Sequence, residues 1–221
     1  MTLAPATALQ SDTREHLLRT ALLAFADHGV EGVRLSHIRD AAGQGNRSVM
    51  HYHFKNKDTL VQAVVEFVQG QLDTHMQRAA GRLLGILPQP SQLPALVEVM
   101  FEPFVTLFAS GPVGEACIRF MSRLTWQSGA KGQRVLTDFF IPYGNLFLPA
   151  LQGCVPHLSP TELRFKIYLA VNNCIHGLAD FSILLHDPAL EPLGDKEPAI
   201  LAMRRLFFDY MAGGFSGPAR A

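Results

Sequence analysis

The chain has 221 residues and a formal net charge of zero, with 48% hydrophobic and 17% charged residues. This length allows one or two domains with an ample core, and the apolar composition predicts surface that is buried in a partner or lines a cavity. With no run of about 18 apolar residues and no recognisable secretory signal, we expect a cytoplasmic protein without a membrane partner.

The cysteines are odd in number and widely spaced, at Cys117, Cys154 and Cys174. This pattern favours buried, reduced thiols over a disulfide framework or a metal site. We therefore expect no metal and no cofactor.

The first 58 residues are predicted to form a small helical module behind a tail. Residues 1–11 are predicted to be a flexible tail, and a helix follows over residues 13–26 with Gly29 as its C-terminal cap. A short second helix over residues 35–42 precedes a glycine-containing turn, residues 43–48, and another short helix that ends near Phe54. This order of elements is typical of a helix-turn-helix DNA reader.

Three spaced patterns lie in this module: R-x-x-L-L-x-x-A-x-x-x-F-x-x-x-G, then I-x-x-A-A-G, then Y-H-F-K-N-K-D-x-L. Together, over roughly residues 12–65, they resemble the DNA-binding domain of the tetracycline-repressor (TetR/AcrR) family of regulators. The resemblance implies an all-α protein with an N-terminal three-helix DNA-binding domain, residues 12–58, and a C-terminal helical ligand-binding and dimerisation domain, residues 59–221. The matching residues are Arg14, Leu17, Leu18, Ala21, Phe25, Gly29, Ile38, Ala41, Ala42, Gly43, Tyr52, His53, Phe54, Lys55, Asn56, Lys57, Asp58 and Leu60.

Three features depart from the common family pattern. Arg34 stands where many members carry Ser or Thr, a residue that can cap the second helix and touch a phosphate. Ser36 is the alternative cap, and it would move the start of that helix. Arg39 stands where Ala is common, so its side chain is expected to reach the surface. The turn into the third helix is one residue longer than the commonest version.

The predicted DNA contacts combine base-reading side chains with phosphate-binding ones. Arginine suits guanine, asparagine suits adenine, and hydroxyl groups and lysines suit phosphates. Residues 35–57 carry four basic side chains against one acid, so a neutral chain can still present a basic face. The alternative is an ordinary polar helix surface. The predicted DNA-binding residues are Arg34, Ser36, Gln44, Asn46, Arg47, Ser48, His51, Tyr52, Lys55 and Lys57.

Downstream, the apolar spacing predicts further helices and no strand. A long helix over residues 56–84 joins the DNA reader to the rest of the chain. The next helices are predicted over residues 93–109, 115–127 and 131–151, the last one interrupted at Pro142. Ser159 and Pro160 begin a helix that is expected to run to residue 186. The final helix, over residues 197–211, is expected to stop before Gly213.

Aromatic side chains are dense between residues 101 and 147, with polar groups among them. The plain alternative is the packed core of a helical bundle. A mostly apolar pocket with a few convergent polar groups is also what a small-molecule site requires. Arg119 is the expected partner of an acidic ligand group, because its surroundings resemble those of acyl-metabolism regulators in the family. The predicted ligand-binding residues are Phe101, Phe104, Phe108, Arg119, Met121, Arg123, Trp126, Phe140, Tyr143, Asn173 and His176.

The last two predicted helices are apolar on most of their sides, which indicates burial. The family resemblance implies that they form a four-helix bundle across a two-fold axis, and Phe181 or Phe207 is expected at its centre. No catalytic motif is recognisable. The predicted function is therefore a one-component DNA-binding regulator, a repressor released from a palindromic double-stranded operator by a small apolar or amphipathic effector, such as an acyl compound or an aromatic acid. The alternatives are a DNA-binding protein of the same fold without an effector, and an enzyme.

Overall fold

The computed structural model describes residues 6–127, 129–186 and 196–217, and within them it contains ten α-helices and no strand. The predicted all-α fold is confirmed. A short 3-10 helix, Pro90–Gln92, precedes the fifth α-helix. The helices are α1 (Ala6–Gly32), α2 (Leu35–Ala41), α3 (Val49–Phe54), α4 (Lys57–Leu83), α5 (Leu93–Ala109), α6 (Pro112–Gln127), α7 (Gly129–Cys154), α8 (Pro160–Ala179), α9 (Phe181–Leu185) and α10 (Lys196–Ser216).

The first three helices share a small apolar core. Leu17, Leu22 and Phe25 of α1 are fully buried, and they pack with Ile38 of α2 and Phe54 of α3. The spacing of the α1 residues is helical, so one face of α1 covers both short helices. This core fixes the orientation of α3, whose other face is left to solvent.

Gly29 interrupts α1 where the sequence predicts its end. Its φ of 72° and ψ of 160° lie in a region that is essentially restricted to glycine. One further helical turn follows up to Gly32. The interruption redirects the chain from α1 towards α2.

The helix α4 connects this module to the remaining helices. Its N-cap is Asn56, whose Oδ1 accepts a hydrogen bond from the backbone N–H of Thr59 at 2.9 Å. The 27 residues of α4 give it a length of about 40 Å. One end of α4 therefore lies beside the N-terminal module, and the helix packs against α5 of the C-terminal bundle.

The helix α5 is the centre of the C-terminal bundle, packed between α4, α6, α8 and α10. The segment Pro90–Ala109 has a mean hydropathy of 1.3 and is long and apolar enough to cross a membrane, yet 61% of it is buried inside the fold. The apolar composition of α5 thus serves the core. Phe104 packs there against Phe140 and Tyr143, with ring centroids 5.7 and 6.1 Å apart.

Several predicted boundaries are wrong. Residues 6–11, predicted as tail, belong to α1; residues 1–5 lie outside the described residues. The helix α6 begins at Pro112, because proline suits the first turn of a helix. Pro142 does not interrupt α7, and Pro142 is exposed there. The backbone at Asp180, with φ −97° and ψ 12°, ends α8 early.

The helix α10 continues through Gly213, where the sequence predicts its end. Phe215 is almost fully buried, and the Lys166 ammonium donates to the carbonyl oxygen of Gly214 at 2.7 Å. Tertiary contacts thus overcome the low helix propensity of the two glycines.

We predict that Gly29→Ala lowers the free energy of unfolding by about 1–3 kcal/mol, because alanine is strained at the backbone angles of Gly29. The matched control is Gly70→Ala in the interior of α4, where an added Cβ meets no atom within 4 Å. The control is expected to stabilise by about 0.5–1 kcal/mol, since alanine is the better helix former. Urea denaturation followed by circular dichroism measures both. Equal effects of the two substitutions would contradict the role assigned to Gly29.

Candidate DNA-reading face and ligand cavity

One face of α3 is apolar and buried, and the other is polar and exposed. Val49, Met50 and Phe54 face the core of the module. His51 is exposed, and Tyr52 is 69% exposed although it is a large aromatic residue. His53 holds the Tyr52 ring edge-on at a centroid distance of 4.9 Å. The fold therefore leaves these side chains free to contact a partner.

The turn before α3 adds further polar groups to this face. Arg47 and Ser48 are exposed and lie ahead of the first residue of α3. The Oδ1 atom of Asn46 accepts the backbone N–H of Ser48 at 2.9 Å, which makes Asn46 a turn-forming residue. Gly43, with φ 66°, opens the turn, and Gln44 is half-buried within it. Asn46 is thus engaged in a local hydrogen bond, whereas Arg47 is exposed.

The start of α2 decides between Arg34 and Ser36 as the N-cap residue. Its N-cap is Arg34, in extended conformation and without a side-chain cap. Ser36 lies inside the helix and is exposed, so it does not move the helix start. Arg39 donates to the carboxylate of Asp40 and thereby reaches the surface, as predicted. Arg34 and Ser36 are both exposed.

The two lysines predicted to bind phosphate differ in their surroundings. Lys55 is exposed and has a φ of 57°, an uncommon value for a residue other than glycine. Lys57 is half-buried, and its Nζ donates to the carbonyl oxygen of Glu31 at 3.5 Å. Lys57 therefore also ties α4 to the end of α1, whereas Lys55 faces solvent.

Two arginines of α6 bind the end of α1, which overturns their prediction as ligand-binding residues. Arg123 donates from Nε to the carbonyl oxygen of Ala26 at 2.6 Å and from Nη2 to that of Asp27 at 2.9 Å. Arg119 pairs with the Asp27 carboxylate at 3.2 Å. Carbonyl groups near a helix C-terminus favour such cations. We call this contact, formed by Arg119, Arg123, Ala26 and Asp27, the arginine clamp.

Most of the other predicted ligand-binding residues are packed in the core. Phe101, Phe104, Phe108 and Met121 are buried. The Tyr143 hydroxyl donates to the carbonyl oxygen of Met100 at 2.8 Å, and burial raises the pKa of this hydroxyl. These residues form the centre of the bundle, which is the alternative that the sequence left open.

Two more predicted ligand-binding residues, His176 and Asn173, have contacts of their own. The Nδ1 atom of His176 lies 2.7 Å from the Ser122 hydroxyl oxygen, and this pair joins α8 to α6. Burial lowers the pKa of His176, and the nearby Asp180 carboxylate opposes this effect. Asn173 lies in an outer groove between α8 and α10. The side chain of Trp126 lies outside the described residues.

A cavity of about 440 Å³ lies between α6, α7 and α8. Of the predicted ligand-binding residues whose side chains the structure describes, only Phe140 lines it. Arg164 is the one charged side chain among the described lining residues, and its Nη1 donates to Oδ1 of Asn145 at 3.0 Å. The helical spacing of residues 164, 168, 171, 172 and 175 on α8 could have indicated this lining from the sequence. The cavity is lined by Thr125, Gln133, Leu136, Thr137, Phe140, Ile141, Gly144, Asn145, Leu148, Arg164, Ile167, Tyr168, Val171, Asn172 and Ile175.

A second set of apolar side chains on α8 and α10 faces solvent in the single chain. Phe165 is 61% and Tyr210 is 66% exposed, and Leu169 and Leu206 accompany them. We call these four residues the exposed apolar face. Phe181, predicted to be central to a dimer interface, is instead only 2% exposed and packs against Phe108 at a centroid distance of 5.9 Å. That prediction is wrong because α9 folds back onto the core.

His, Cys, Asp and Glu are the side chains that commonly bind metal ions in proteins. No group of three or more His, Cys, Asp or Glu side chains there could hold a metal ion. The cysteines are free and buried, as predicted, and burial raises the pKa of Cys117 to about 12. A thiol with so high a pKa carries little thiolate at neutral pH and is unreactive.

Both halves of the chain match models of one protein family. Residues 17–64 match the model described as bacterial regulatory proteins, tetR family. Residues 98–214 match the model described as tetracyclin repressor-like, C-terminal domain. No curated protein matches the chain.

Two solved structures share the fold over nearly the whole chain. One, from Rhodococcus sp., is assigned as a TetR-family transcriptional regulator; it is 13% identical with a TM-score of 0.55, and the match covers 91% of this chain and 99% of that one. The other is Salmonella enterica GusR, 14% identical with a TM-score of 0.51, covering 93% of this chain and 96% of that one. At these identities the likeness shows the fold alone.

We predict that Arg123→Met lowers the free energy of unfolding by about 1.5–3 kcal/mol, because it removes charge-assisted hydrogen bonds to α1. Methionine keeps much of the apolar stem and so isolates the loss of the guanidinium. The control Arg78→Met changes an exposed residue of α4 and should stay within about 0.5 kcal/mol of the parent. Chemical denaturation followed by circular dichroism compares the two. A loss no larger than that of the control would show that the arginine clamp contributes nothing to stability.

Proposed function

The chain belongs to the TetR family of DNA-binding transcriptional regulators, and we propose that it is a homodimeric repressor that a small amphipathic effector releases from its operator. The observation that carries this proposal is the exposed polar face of α3 and its preceding turn, above a buried apolar core. We infer that it acts by binding rather than by catalysis, and in the cytoplasm, where the DNA is.

The DNA contact is proposed to use α3 as the recognition helix. Arg47, His51 and Tyr52 are exposed, and their side chains are proposed to contact base edges in a major groove. Arg34, Ser36 and Lys55 lie around them and suit phosphates. A dimer would present two such faces to a palindromic operator, with half-sites about 34 Å apart. Two copies also compensate for the modest basic charge of one face.

The dimer is proposed to form through the exposed apolar face of α8 and α10. Phe165 and Tyr210 are large apolar residues of the kind that interfaces bury. Side chains from two helices of each copy would form a four-helix bundle across a two-fold axis.

The effector is proposed to bind in the cavity between α6, α7 and α8. Its volume of about 440 Å³ falls in the range of small-molecule sites, about 300–1,000 Å³. This volume favours a regulator with an effector over a DNA-binding protein of the same fold without one. Because α6 both lines the cavity and carries the arginine clamp, a shift of α6 would move the DNA-reading module. Such coupling is typically about 1–3 kcal/mol.

We predict that Arg47→Ala costs about 1–3 kcal/mol at the preferred operator and relaxes the base preference at one position. Lys55→Ala should instead weaken all duplexes alike and reduce the salt slope by about 1. The operator is first selected from random duplexes with the parent protein, and binding is then measured in a salt-titrated gel shift. The control is Arg78→Ala, which lies about 30 Å along α4 from its start. Parent-like binding by both test variants would place the recognition surface elsewhere.

We predict that Phe165→Asp yields a folded monomer, because the side chain is exposed in the single chain but would place an unpaired charge in the dimer interface. Operator binding should fall steeply with the loss of the second half-site. The control Leu84→Asp changes a residue that is 90% exposed and lies outside α8 and α10, and it should remain dimeric. Light scattering gives the mass and circular dichroism the fold. A fully dimeric Phe165→Asp protein removes this interface from consideration.

A further inference from the structure

We infer that the cavity between α6, α7 and α8 takes an amphipathic carboxylate, with Arg164 binding the acid group and the apolar wall around Phe140 and Ile167 covering the body of the ligand. The inference rests on the proposed function, since it names the chemistry of the proposed effector. It also moves the acid-binding role from Arg119, which pairs with Asp27 in the arginine clamp, to a residue of α8.

The charge of the cavity selects an anion. Arg164 is the one charged side chain among the described lining residues, and no carboxylate lies among them. The polar lining groups are otherwise neutral amides and hydroxyls, from Thr125, Gln133, Thr137 and others. A ligand carboxylate would gain a charge-assisted bond from the guanidinium, whereas an ammonium group would meet only like charge.

The partner of Arg164 leaves this guanidinium available to a ligand. Among the described residues, its hydrogen-bond partner is the neutral Oδ1 atom of Asn145, at 3.0 Å. By contrast, Arg119 of the arginine clamp and Arg204 contact carboxylates of the protein. Arg119 pairs with Asp27, and Arg204 contacts Glu98 and Glu102 at 2.9 and 2.7 Å. The Asn145 amide fixes the direction of the Arg164 side chain without neutralising its charge. A guanidinium has five N–H donors, so a bidentate contact with a carboxylate remains possible beside the bond to Asn145.

The shape of the cavity selects a ligand with an apolar body. Aliphatic and aromatic side chains from α7 and α8, such as Leu136, Phe140, Ile167 and Ile175, form most of its wall. Arg164 lies at the N-terminal end of the α8 lining and is exposed, whereas Ile175 lies three turns further along and is buried. The acid group would therefore stay near solvent while the body enters the apolar interior. A bare sugar or an inorganic anion would leave that interior unfilled.

The test is direct binding to the full-length protein, measured by isothermal titration calorimetry without DNA. The probes are octanoate, decanoate and dodecanoate, with decanol as the neutral match and decylammonium as the cationic match, all below their aggregation limits. We expect at least one carboxylate to bind about tenfold or more tightly than decanol, and no binding of decylammonium. Arg164→Gln should weaken carboxylate binding about 10- to 100-fold and leave decanol binding unchanged. Arg164→Lys keeps the positive charge but cannot form a bidentate contact. Its affinity for carboxylates should therefore lie between those of the parent and Arg164→Gln.

Two control variants separate the roles of charge and site. Arg134→Gln removes an exposed charge from α7 outside the cavity lining and should bind like the parent. Gly144→Leu should abolish binding of carboxylate and alcohol alike, because it fills the cavity. A Cβ at Gly144 meets only Ile167 Cγ2, at the ordinary contact distance of 3.6 Å, so the variant should fold, which circular dichroism checks.

The outcomes decide the inference separately from the proposed function. It is overturned if no carboxylate binds, if acid and alcohol bind equally, if Arg164→Gln binds acids like the parent, or if folded Gly144→Leu still binds them. Operator selection in the absence of any probe tests the proposed function. If the protein binds decanoate through Arg164 but selects no duplex, the inference on the ligand stands and the proposal of a DNA-bound repressor is contradicted.

Discussion

The arginine clamp is the contact on which the arrangement of the two halves depends. Gly29 interrupts α1, and Arg123 of α6 donates to the carbonyl oxygens of Ala26 and Asp27 just before that interruption. Phe25 and Phe120 stack beside it at a centroid distance of 6.2 Å. The hydrogen bonds orient the two helices, and the aromatic pair adds buried apolar area to the contact. Together they fix the N-terminal module against the C-terminal bundle.

The proposed DNA-binding face and the cavity surround a core that contains no buried polar or charged residue in the described part of the chain. Such a core is rigid because its side chains interdigitate at high density. Thr125, on the same helix as the clamp, is the only cavity residue that α6 contributes among the described ones. Under the proposed release mechanism, an effector would therefore act on the N-terminal module through a small displacement of α6.

The local features of the fold could be predicted from the sequence, and the long-range contacts could not. The helix over residues 93–109 was predicted with the bounds of α5, because prolines and apolar spacing mark both its ends. Arg119 and Phe181 were misplaced because their partners, Asp27 and Phe108, lie far away along the chain. Gly213 was misread for the same reason: its helix is held by Lys166 of α8. Periodicity reveals which residues are apolar on one face, but not which helix that face meets.

The helix α8 contributes to both the cavity lining and the exposed apolar face, through residues that are adjacent in the sequence. Arg164 and Tyr168 line the cavity, whereas Phe165 and Leu169 point to solvent. Successive residues of a helix are rotated by about 100°. Deleting one residue before Tyr168 would therefore rotate the following segment of α8 and turn Leu169 of the apolar face into the cavity, and inserting one would rotate that segment by the same angle in the opposite direction. Substitutions can alter either surface separately, but the length of α8 can change without harm only by about two full turns, or seven residues. Evolution can thus retune this regulator by exchanging side chains along α8 far more readily than by changing its length.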